Sequence, residues 1–109
     1  MTVSELQKSL ALEIITLPDP EREITGGYVG DLLSFVMGSA RSGDCWVTIM
    51  SNVNVIAVAA LTDVACILLA ADVKLDPGVK EKAEQQGINV LSSPLSAFDL
   101  CAAVAQFQK

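Results

Sequence analysis

Histidine is absent from the chain. Its absence removes the commonest general base and excludes zinc sites of the Cys/His kind. Cysteine is scarce: Cys45, Cys66 and Cys101 are odd in number, and each sits in an apolar context, "DCWVTI", "VACILL" and "DLCAAV". They lack the paired spacing of a Cys-only metal site, and none has a base beside it. They are expected to be reduced, buried thiols acting as small hydrophobes, which fits a cytoplasmic protein. Also missing are the GxSxG turn of a serine hydrolase, the Gly-Lys-Ser/Thr of a phosphate loop and the GxGxxG spacing of a dinucleotide fold. Neither an enzyme activity nor a metal or cofactor is expected.

Positive charge is thin. Seven Lys and Arg stand against 13 Asp and Glu, a net charge of -6. No run of Lys or Arg could follow a phosphate backbone, so nucleic acid is not expected as a partner. The charge leaves room for a small phosphorylated ligand held by backbone amides at a helix N-terminus. No basic stretch followed by an apolar core opens the sequence, so no signal peptide is expected. The longest apolar run, residues 53–71, is interrupted by Asn54 and Asp63 and has no basic flanks. It reads as a buried helix followed by a buried strand rather than a membrane span.

Apolar residues, in contrast, are plentiful: 51% of the 109 residues, with a mean hydropathy of +0.48. A chain of this size buries roughly two-thirds of its extended surface on folding. No repeat, low-complexity segment or linker divides it, and residues 1–109 are expected to form one domain. Residues 3–11 carry Val3, Leu6 and Leu10 at helical spacing, with Thr2 or Ser4 to cap. Residues 12–16 predict a strand that "LPDPE" stops, and residues 24–29 a weak or bulged one. Asp31 is expected to cap a helix over 32–41, followed by the strand "CWVTIM". "SNVN" then opens a helix through "VIAVAALTD", and "ACILLAA" predicts the most buried strand. Asp76-Pro77 places proline in the first turn of a helix that Gly87 closes, "INVL" is a strand, and Ser96 caps a last helix. In that helix Phe98, Leu100, Cys101, Val104, Ala105 and Phe107 form the apolar positions. Alternating strands and helices predict a three-layer α/β domain with a mostly parallel central sheet flanked by helices.

Polar groups concentrate in three places, each at a strand end or helix start. The first is "EREITGGYVGDLLS", where Thr25, Gly26, Gly27 and Asp31 offer a hydroxyl, close backbone approach and a carboxylate. It reads as a tight corner or as one wall of a ligand site. The second is "TIMSNVNV", with Ser51, Asn52 and Asn54, and the third is "SSPLSAF", with Ser92 and Ser93. In each, ordinary capping and turn chemistry competes with ligand binding. The carboxylates Glu21, Glu23 and Asp31 are close in sequence, but paired acids need a larger cleft than so small a domain offers.

Several of these segments, Glu21-Arg22, Thr25-Gly26-Gly27, "YVGDLLS", "WVTIMSNVNVIAVAAL" and "EKAEQQGINVLSSPLSAFDL", resemble the DRTGG domain family in the same order. Glu21 stands where that family usually has Asp. The resemblance implies a fold similar to the N-terminal domain of HPr kinase. It also implies a non-catalytic regulatory or assembly module, since such domains accompany CBS domains in regulated pyrophosphatases and precede the catalytic domain of some phosphotransacetylases. The expectation is therefore a homodimer associated with a metabolic enzyme, self-associating through the helix at 54–61 or the last helix. The alternative is a sensor binding a nucleotide or phosphorylated metabolite at the three polar loops.

Overall fold

The computed structural model describes residues 1–108. Its first helix, α1 (Val3–Ser9), starts where the sequence supplies a reciprocal cap: the Thr2 hydroxyl accepts the Glu5 N–H and the Glu5 carboxylate accepts the Thr2 N–H. Two orphan donors of the first turn are thereby satisfied. There follow β1 (Glu13–Thr16), β2 (Gly26–Val29), α2 (Leu33–Ser39), β3 (Asp44–Thr48), α3 (Asn54–Thr62) and β4 (Cys66–Leu69). The chain ends with α4 (Val79–Gln86), β5 (Val90–Ser92) and α5 (Ala97–Phe107).

The five strands form one sheet in the order β1-β5-β4-β3-β2. β2, β3, β4 and β5 run parallel, and β1 pairs antiparallel with β5. This is the expected three-layer, mostly parallel arrangement. Every residue of β3, β4 and β5 is buried, as strands covered on both faces must be. The side chains of Val36, Ile56, Ala59, Val79 and Ala83 bring α2, α3 and α4 onto one face, around Trp46, Ile67 and Val90. On the other face α1 and α5 bring Val3, Leu6, Leu100 and Val104 onto Cys45, Val47, Cys66 and Leu68. Three helices thus cover one face and two the other.

Some sequence expectations require correction. Asp31 does not cap α2: the helix starts from Leu32, which has no side-chain cap, and Asp31 lies one residue too early. Pro77 sits in the turn before α4 rather than in its first turn, because Gly78, at φ +85°, already occupies the cap position. Phe98 is not in the core; it is 82% exposed, whereas Leu100 and Val104 of the same helix are buried. Ser96 and Gly87 cap their helices as expected, the Ser96 hydroxyl accepting the Asp99 N–H at 3.1 Å.

Candidate functional site

The parallel strands place all their amino ends on one edge of the sheet and all their carboxyl ends on the other. That divides the residues singled out in the sequence. Thr25, Gly26 and Gly27 lie at the amino end of β2, beside the start of β3. Asp31 follows the carboxyl end of β2, Ser51, Asn52 and Asn54 follow that of β3, and Ser92 and Ser93 lie at that of β5. β2 is four residues long, about 13 Å, and it separates Glu21 and Glu23 from Asp31. The three polar loops do not form one site.

At the amino edge the residues make a corner. Arg22 donates from Nη1 to Asp63 Oδ1 (3.0 Å), and from Nη2 to Asp63 Oδ2 (3.0 Å) and to the Asp63 carbonyl (2.9 Å). Asp63 closes α3 in a left-handed conformation, φ 60°, so Arg22 binds both the carboxylate and a carbonyl at a helix C-terminus, where a cation is favoured. The Ser42 hydroxyl donates to the same carboxylate. Hydrogen bonds from Arg22 and Ser42 hold the Asp63 carboxyl below its ordinary value. Next to this pair, the Thr25 N–H donates to Gly43 O at 2.9 Å, and the Gly43 N–H to Asp63 O at 2.9 Å. Gly43 has φ +85°, and a Cβ there would collide with the Thr25 hydroxyl. A Cβ on Gly26 would lie 2.7 Å from Asp44 Oδ1, so that glycine admits the buried Asp44 carboxylate, whose other oxygen accepts the Arg41 N–H at 2.8 Å. Gly27 has neither a positive φ nor a close neighbour.

At the carboxyl edge most of the polar groups are turned to internal work. The Ser51 hydroxyl donates to Asp76 Oδ1 (2.9 Å), and the Asp76 N–H returns a bond to Ser51 O (2.9 Å). Asn52 Oδ1 accepts the Asn54 N–H at 2.9 Å in the turn that leads into α3, whose cap position, Val53, has no side-chain bond; the Asn54 side chain is exposed. The buried Ser92 hydroxyl is 3.4 Å from Glu13 Oε2, and the Ser93 hydroxyl accepts the Leu95 N–H at 3.1 Å. The sheet order also follows the sequence order from β2 to β5. No reversal of strand order opens the crevice in which such sheets gather ligands.

The surface beside the edge strand β2 is apolar. A trough of about 310 Å³ runs between β2 and α5, lined by Gly27, Val29, Cys45, Val47, Cys101 and Ala105 among others. A second depression of about 220 Å³, sharing Val29 and Val47, continues it to Ile49, Asp31 and Ala97. Sequence reasoning missed this trough because no single element contains it: it arises where α5 covers β3 and leaves the edge strand bare. The exposed Phe98 was the available signal, hidden by its membership in an otherwise apolar helix.

The cysteines converge on the same face. Cys45 and Cys66 are register neighbours on β3 and β4, and the adjacent Cys66 thiol together with burial pushes the Cys45 thiol well up. Burial also raises Cys101. Thiols shifted this way remain protonated and are poor nucleophiles. Sequence reasoning missed two further polar anchors. Buried Asn89 donates to Asp19 O (2.8 Å) and Ala65 O (3.0 Å) and accepts the Asp19 N–H (2.9 Å). Arg22 finds its partner 41 residues away. A polar residue inside "INVL" was the visible hint of the first; the second had none.

A family model described as the DRTGG domain matches residues 31–107. The matched span begins after Glu21–Gly27, so the residues that first suggested the resemblance lie upstream of it. No curated protein sequence matches the chain. Among solved structures, the chain is similar to the CBS and DRTGG domains of the regulatory region of Clostridium perfringens pyrophosphatase, complexed with the activator diadenosine tetraphosphate. The TM-score is 0.75 at 14% identity, over 96% of this chain and 46% of that one. At that identity the likeness speaks to fold, and this chain spans less than half of the solved one.

Proposed function

Because the chain belongs to the DRTGG domain family, we propose that it is a non-catalytic regulatory or assembly module, homodimeric, cytoplasmic and associated with a metabolic enzyme. The observation that carries this reading is the contrast beside the edge strand: most strand-end polar groups are bonded internally, while the depression between β2 and α5 is apolar and holds one carboxylate at its end. Such a surface suits a protein contact better than a charged metabolite. The absence of histidine and the raised thiols of Cys45 and Cys101 leave little for acid-base or nucleophilic chemistry, in keeping with a module that acts through contact. Sedimentation equilibrium tests it: a mass of two chains is expected, and a monomer at all accessible concentrations overturns it.

A second reading, that the chain senses a nucleotide, is favoured by the solved relative, whose regulatory region was captured with diadenosine tetraphosphate. Here Thr25, Gly26, Gly27, Ser51, Asn52, Asn54, Ser92 and Ser93 would have to act as two separate sites. A ligand that binds only the native state raises the melting temperature by mass action. A thermal-shift series with diadenosine tetraphosphate, AMP and acetyl phosphate up to about ten times a millimolar dissociation constant, on the order of 10 mM, should move the midpoint by a few degrees. A flat response removes the sensor.

A further inference from the structure

We propose that two copies of the chain join through the free edge of β2, and that each copy's Phe98 fills the trough of the other. This rests on the self-association part of the reading above and names the surface that performs it.

The trough is incomplete within one chain. It has a floor, Gly27, Val29 and Val47, and one wall, Cys101 and Ala105 of α5. The missing wall is on the side where the sheet ends, because β2 pairs only with β3. Successive residues of a parallel strand turn their backbone groups to opposite sides. With the Gly30 N–H donated to Val47 O at 3.1 Å, those of Val29 and Gly27 point away from β3. A β2 strand from a second copy, related by a two-fold axis, runs antiparallel to the first and can satisfy them. The sheet then continues across the axis, and the second copy's α5 becomes the absent wall. Three strand spacings of about 4.8 Å put the two α5 helices about 14 Å apart. Closely packed helices stand about 8–10 Å apart. The surplus must be filled by side chains.

The chain carries a side chain placed to fill it. Phe98 is 82% exposed and, seven residues before Ala105, lies on the same stripe of α5. α5 begins near the carboxyl edge, where Ala97 meets Ile49, and ends near the amino edge, where Gln108 meets Gly26 O. An antiparallel two-fold therefore sets each Phe98, at the carboxyl end of one trough, against the Gly27 and Ala105 end of the other. Large meets small on both sides of the axis.

Charge and edge chemistry point to a second copy rather than another partner. A self-pairing surface brings every charge toward its own image, and in a chain of net charge -6 this trough carries only Asp31, at one end. The opposite sheet edge is different. β1 carries Glu13, is interrupted by an irregularity between Ile14 and Thr16, and leads to Pro18, the devices by which proteins blunt an edge. β2, "GGYV", has none of them.

Sedimentation velocity across a dilution series tests the proposal on wild type, Phe98→Glu and Leu61→Glu, with hydrogen exchange at the Gly27 and Val29 amides. Leu61, 73% exposed on α3, lies on a helix of the opposite face of the sheet. The expected result is a wild-type dimer with protected amides, weakened on the order of a hundredfold by Phe98→Glu and unchanged by Leu61→Glu, with far-UV spectra alike. A wild-type monomer overturns both this interface and the self-association reading. A dimer that survives Phe98→Glu, or one lost with Leu61→Glu while Gly27 and Val29 exchange freely, overturns the interface alone.

Discussion

Gly43 and Asp63 together decide how the amino edge holds its shape. Gly43→Ala would place a side chain both in a left-handed backbone and against the Thr25 hydroxyl. It should cost about 1–3 kcal/mol in urea denaturation. Gly27→Val, at a dilution where the chain is monomeric, should stay within about 0.5 kcal/mol of wild type, since Gly27 meets nothing closer than Cys45 O at 3.6 Å. The Asp63 carboxyl is held below its ordinary value of 3.8 by hydrogen bonds from Arg22 and Ser42. A depressed carboxylate contributes stability that is complete above its unfolded value and is lost as pH falls through its folded one. Its side chain is 60% exposed, so solvent screening limits the contribution. Asp63→Asn should therefore cost less than about 1 kcal/mol at neutral pH, and the gap to wild type should close as pH falls below the ordinary carboxyl value and through the lowered folded one. A gap that is constant with pH would show that the ion pair is not its source.

Individual elements differ in how openly the sequence declares them. Helix starts with a side-chain acceptor at the right offset were readable: Thr2 and Ser96 each bond a backbone N–H of the turn they open. Asp31 had the right chemistry but the wrong spacing, and α2 begins uncapped, with Val36 its one buried residue. Leu33 packs partly buried against the same core, while Phe35, Met37 and the preceding Leu32 are exposed, which no periodicity rule anticipates because the helix is too short to define a face. Between the two asparagines of "SNVN", only Asn52 bonds the backbone at the start of α3 with its side chain. Asn52→Ala should lower stability by about 1 kcal/mol, and Asn54→Ala should leave it unchanged, as thermal melts of the two variants will establish. The strands were legible because β3, β4 and β5 are apolar on both faces. β1 was legible as a strand but not as antiparallel, since its direction is fixed by long-range bonds. Thr16 donates to Ile88 O (2.7 Å) and accepts the Val90 N–H (3.1 Å), joining β1 to residues more than 70 positions away.

On the scale of the whole molecule, both cores share one sheet, so neither face can loosen alone. Trp46 is fully buried on the three-helix face, with its indole N–H donated to Gly30 O at 3.0 Å, while its neighbours Cys45 and Val47 belong to the two-helix face. Trp46 fluorescence and far-UV circular dichroism should therefore report coincident urea transitions; separate midpoints would mean that the faces unfold independently. The α/β class and mostly parallel sheet could be read from the order of apolar runs. The separation of Thr25–Gly27 from Ser51 and Ser92 could not, because it depends on which end of each strand a loop leaves. The same order hid the trough, a property of coverage rather than of any residue. The irregularity between Ile14 and Thr16 has a consequence for assembly in bulk. A sheet with two receptive borders polymerises without limit, whereas one with a single receptive border stops at a closed pair. Concentrated solutions should stay clear, and straightening β1 is the change that would turn a finite complex into a growing filament.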